Sequence, residues 1–172
     1  KQNKPDADRL RLHVALARHC GHGASHAAAE GRWGVMEREL AEAQVHYQEI
    51  AKLATDRQAV VKQELVNLLG KLISDLHSAV HGEPAPSLAE RADWCWEGYR
   101  LTQRHRTLQP EPPDWLWRVE EQLVRQGAID RRQQLSGAQE ASPTQQRKWQ
   151  QQALELLLHL SRLHNPCPEW IG

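Results

Sequence analysis

VMERELAEAQVHYQEIAKLATDRQAVVKQELVNLL, residues Val35–Leu69, is the stretch whose reading decides the fold. Met36, Leu40, Ala43, Tyr47, Ile50 and Ala54 recur in it at alternating spacings of four and three residues. This is the heptad-type seam of a helix that packs along a neighbour at a shallow angle. Val61, Leu65, Leu68 and Leu72 continue it, joined by Leu69, Ile73, Leu76 and Val80. Two readings compete. Thr55 and Gln58 form a T-x-x-Q capping box, so a turn at Thr55–Asp56 folds the stretch into an antiparallel hairpin. Alternatively one helix runs from about Ser25 to His81, roughly 84 Å at ~1.5 Å per residue. No Gly or Pro lies between Val35 and Leu69, which favours a continuous or mildly kinked helix.

Working outward, a first helix begins near Pro5, with Asp6 and Asp8 at the positive end of its dipole. It carries Leu10, Val14 and Ala17, and Gly21 with Gly23 are expected to end it. Downstream, Gly82–Pro86 is a break, and Ser87 with Glu90 forms an S-x-x-E capping box for a helix reaching about Leu108. Gln109–Pro113 is a stiff linker, and Asp114 caps a fifth helix that Gly127 interrupts, with Ala128–Leu135 as a short continuation. After an exposed loop at Ser136–Ala141, Ser142 and Pro143 start a last helix with Trp149, Ala153, Leu156, Leu160 and Leu163 on one face. Asn165-Pro166-Cys167-Pro168 stops it. Period-2 strand patterns are nearly absent. The expectation is an all-α bundle of five to six helices with one long or kinked helix in the first half. Its 172 residues have the length of a single domain: a helical first half (1–82), a linker (83–86), a helical second half (87–165) and a tail (166–172).

Composition narrows function by exclusion. Lys plus Arg equals Asp plus Glu at 22 each, so the net charge is zero, unlike the basic excess of a dedicated nucleic-acid binder. Three separated cysteines, Cys20, Cys95 and Cys167, make no disulfide framework, and a cytoplasmic setting follows. No apolar run is long enough to span a bilayer, so no membrane partner is expected. Glycine-rich phosphate loops, H-E-x-x-H, G-x-S-x-G and E-x-x-H are all missing, and acidic residues sit mostly beside Arg or Lys on faces read as exposed. The chain is therefore expected not to be an enzyme and to carry no cofactor.

Seven Trp against no Phe is the most distinctive feature. Trp94-Cys95-Trp96 and Trp115-Leu116-Trp117 each place two indoles on opposite sides of a helix. One ring of each pair is expected in the core and the other toward solvent or a partner, which makes Trp94, Trp96, Trp115 and Trp117 candidate partner-binding residues. The alternative is a thick core that buries both. A basic stretch, Arg100–Arg106, follows the first pair, and Arg100, Arg104 and Arg106 with Arg131 and Arg132 would form a nucleic-acid face if they gathered beside indoles. His19, Cys20, His22 and His26, with His13 upstream, and His77 with His81, concentrate potential metal ligands. Their spacing closes no site, and no metal is expected. The function read from the residues is a non-enzymatic helical interaction or scaffolding module, with a protein partner or a homo-oligomer. The alternative is a small helical nucleic-acid-binding subunit of a ribonucleoprotein or replication assembly.

Overall fold

Gly31 sets the first turn. Its φ of +65° lies in the left-handed region that a Cβ disfavours, and the Arg32 N–H donates back to the Ala27 carbonyl across it. The helix it ends is α1, Lys4–Ala29, and α2, Trp33–Leu53, returns along it. In this computed structural model the described residues are 4–137 and 141–164. After α2 come a 3₁₀ turn at Thr55–Arg57, then α3 (Gln58–Val80), α4 (Leu88–Leu108), α5 (Asp114–Gly137) and α6 (Pro143–His164). The architecture is an all-α helical bundle, with no strand among the described residues.

Three boundaries differ from the sequence reading. Gly21 and Gly23 lie inside α1; a Cβ on Gly21 would stand 3.4 Å from a Leu68 methyl, so it is a packing position and the stop falls at Gly31. The expected helix from Ser25 to His81 is not one element. Ala54 leaves helical geometry at φ −140°, ψ 83°, and the chain bends through the 3₁₀ turn. The Thr55–Gln58 capping box is not made, because the residue that caps α3 is Arg57, which gives no side-chain bond. Gly127 does not interrupt α5. A Cβ there would lie 2.9 Å from the Cys95 Cβ and 3.1 Å from a Leu156 methyl, so glycine lets α4, α5 and α6 close on one point.

Other local signals act as read. The Ser87 hydroxyl accepts from the Glu90 N–H, and the Glu90 carboxylate accepts from the Ser87 N–H at 2.9 Å. Ser142 accepts from the Gln145 N–H ahead of Pro143. The seam residues Met36, Leu40, Ala43, Tyr47 and Ile50 are all buried. Asn165–Pro168, the tail and residues 138–140 of the expected Ser136–Ala141 loop lie outside the described residues; Ser136 and Gly137 belong to α5.

The core runs as three linked clusters. Leu10, Ala17, Cys20, Ala43, Tyr47 and Ile50 join α1 to α2. The largest, with Met36, Leu40, Leu69, Leu72, Ile73, Leu76, Cys95, Leu101, Leu116 and Leu123, joins α1 through α5. Tyr99, Val124, Ala128 and Leu156 seat α6 on α4 and α5. No helix among the described residues is long and apolar enough to cross a membrane.

Candidate interaction surface

The four indoles are placed by their helices as flanks. On α5, Leu116 is fully buried, while Trp115 and Trp117 on either side of it are each 43% exposed. The Trp115 ring packs over Gly70, 3.6 Å from where a Cβ would sit, and Trp117 is covered by the Arg106 guanidinium at 3.6 Å from the ring centroid. On α4, Trp94 packs against the large central cluster and Trp96 against the α6 cluster, 5.7 Å from the Tyr99 ring. Neither pair divides into one core ring and one solvent ring. Helix α4 lies between α3 and α5 and also meets α6, so both of its flanks are packed. The outward-turned rings are those of α5.

The five arginines do not gather into one face, although Arg100 and Arg104 meet on Glu37. Arg100 reaches Glu97 at 2.9 Å and Glu37 at 3.5 Å, and Arg104 reaches Glu37 at 2.9 Å. Arg106 is bound to Glu120 as well as to Trp117, and Arg131, 1% exposed, is bound to Asp93 and Gln134. Arg132 is exposed on another part of α5, beside Ile129 and Ser136.

Three buried acidic residues, Glu97, Glu120 and Asp130, are exceptions to the reading of carboxylates as mostly solvated. Glu120 and Asp130 are wholly buried on α5. Asp130 takes a bidentate pair from Arg91 at 2.7 and 2.8 Å, plus the Gln126 amide at 2.9 Å. Glu120 accepts from Arg106, from Gln103 at 2.8 Å and from Thr102 at 3.3 Å, and pairs with His159 of α6 at 2.9 Å. Burial pushes the Glu120 carboxyl up, but the His159 and Arg106 hydrogen bonds outweigh it and hold it below the usual range. This cluster clamps α4, α5 and α6 together, and every oxygen of Glu120 is spent on the protein itself. Burial pushes the Cys95 thiol to about 12, which keeps it unreactive.

The residues the sequence reading missed are on α6. Leu154, Leu157 and Leu158 are 58%, 53% and 50% exposed, on the side away from the buried Leu156. Their signal was present: the run Leu154–Leu160 holds more leucines than the one stripe through Leu156 and Leu160 uses. A groove of about 530 Å³ also opens between α3 and the α4–α5 linker, lined by Lys62, Gln63, Val66, Leu108 and Pro110. His19, His22 and His26 are exposed along α1 and Cys20 is buried, and no group of three or more His, Cys, Asp or Glu side chains fit to hold a metal occurs among the described residues. Compared with known protein families, curated proteins and solved structures, the chain matches none.

Proposed function

We propose that the chain is a non-enzymatic helical module that binds a protein partner, as an interaction or scaffolding part of a larger protein or complex. The observation that carries this reading is the leucine face of α6. Scattered exposed leucines are ordinary, but three adjacent ones on a helix with its opposite side already packed form a patch. Burying a leucine completely stabilises by about 1.5–3 kcal/mol. Three at half exposure therefore leave about 2–4 kcal/mol for a covering surface to gain. The half-exposed Trp115 and Trp117 add large rigid area of the kind that binding hot spots use.

The partner is another protein or a second copy of the chain, in a cytoplasmic setting that suits the free, buried Cys20 and Cys95. The nucleic-acid reading draws no support from Arg100, Arg104, Arg106 and Arg131, whose charges are met by Glu37, Glu97, Glu120 and Asp93. The reading is tested with Leu154→Asp plus Leu158→Asp, which places two charges on the patch without touching the core. Light scattering and affinity capture, run beside wild type, are expected to lose one discrete partner or one dimer. An unchanged partner set and mass in a folded double variant would rule the α6 face out.

A further inference from the structure

The α1–α2 hairpin holds a second feature that the interaction reading does not use. His13 and His46, 33 residues apart in sequence, meet across the helix pair with their Nδ1 atoms 3.1 Å apart. Their rings lie 5.3 Å apart at a 47° tilt, and both are half-buried. Each imidazole nitrogen is a donor or an acceptor according to tautomer, so a single proton shared between the two makes a hydrogen bond. When both rings carry their proton on Nε2, the two Nδ1 atoms face each other from two helices, each with a lone pair to give. The spacing suits one ion: ligand nitrogens at about 2.05 Å from a metal and 3.1 Å from each other subtend about 98°. That angle falls between octahedral and tetrahedral coordination.

We propose that His13 and His46 bind one divalent first-row transition ion, Zn²⁺, Ni²⁺ or Cu²⁺, through their Nδ1 atoms. Water completes the shell, since no third His, Cys, Asp or Glu joins a ligand group among the described residues. Glu49, one turn beyond His46, lies within electrostatic reach of His13 and is held below its ordinary range first by Lys52. Its charge is already met by Lys52 at 2.6 Å and Arg9 adds positive charge nearby, so the two imidazoles alone carry the binding. The ion joins α1 to α2 well away from the Gly31 turn, where Leu10, Tyr47 and Ile50 hold the same hairpin. It therefore fastens the end of the hairpin that the backbone leaves free.

The other histidine pair makes the control. His77 and His81 pack edge to face on α3 and its cap, and the His77 Nε2 is already bonded to Gln122 at 2.6 Å. In tag-free protein, calorimetric titration with ZnCl₂ is expected to show a site that His13→Asn and His46→Gln each weaken at least about tenfold. His77→Asn is expected to leave that site unchanged. In wild-type protein, where no folding question arises, Zn²⁺ is expected to move the His13 and His46 ring signals in nitrogen–proton spectra before those of other histidines. Cu²⁺ paramagnetic resonance then counts two imidazole nitrogens on the ion. Superposable isotherms for wild type, His13→Asn and His46→Gln overturn the proposal. So does Zn²⁺ moving other histidine signals first in the wild type.

Discussion

Replacing Glu120 by Gln tests the buried cluster that joins the last three helices. The change keeps the side-chain shape but removes the charge to which Arg106 and His159 are bound. Breaking a fully buried pair by removing one partner costs about 3–5 kcal/mol. Arg106 and His159 keep 19% and 15% of their side-chain surface, so water partly compensates them and the expected loss is about 2–3 kcal/mol. For a chain of this length that is a fall in Tm of about 4–12 °C. The pH dependence has a fixed sign. The folded-state carboxyl is held below its ordinary range, so its contribution is complete above the unfolded pKa, about 4.3. It is lost as pH falls through the lower, folded value. Urea melts followed by circular dichroism should therefore show a gap between wild type and E120Q at neutral pH that closes on acidification below about 4. A gap under about 0.5 kcal/mol at neutral pH, or one that does not close once the pH is below the carboxylate range, would refute the assignment of Glu120 as the clamp.

Gly127→Val is expected to lower stability by about 1–3 kcal/mol in thermal melts, because its Cβ meets Cys95 and Leu156 inside contact distance. Ser87→Ala removes the α4 capping box, and a loss of about 1 kcal/mol, measured in urea, is expected. In a Cys20→Ser, Cys167→Ser background, Cys95 should react with a thiol reagent at pH 8 only at the rate of global unfolding, because burial raises it to about 12. Fluorescence anisotropy with labelled single-stranded RNA should show no binding that survives physiological salt, since four of the five candidate arginines are ion-paired internally.

The fold class was legible because it rests on local signals. Heptad spacing from Met36 to Ile50, the Ser87–Glu90 box and Ser142–Pro143 each act over one or two turns. Misread positions were those where a distant residue decides. Gly21 and Gly127 read as helix breakers, yet Leu68, Cys95 and Leu156 explain them as points of close approach. Ala54, by contrast, carries no breaker signal in its own residue type; the break falls at the Thr55–Asp56 turn that was one of the two readings of this stretch, although the T-x-x-Q box that pointed to it is not made. The surface was less legible still. Glu120 looked solvated beside Glu121 and Arg118, and only α4 and α6 closing over it bury it. Trp96 is only partly buried, and the surface it packs on is made by Tyr99 and α6.

The most direct measurement on the interaction reading is site-specific photo-crosslinking at position 157, on the exposed α6 leucine face, in cells that make the protein. The same group at Ser74, exposed on α3, serves as the control. The result expected is one discrete adduct from position 157, of a mass that identifies either another protein or a second copy of the chain, and none from position 74. No adduct from 157, or the same adducts from both positions, would contradict a binding role for this face.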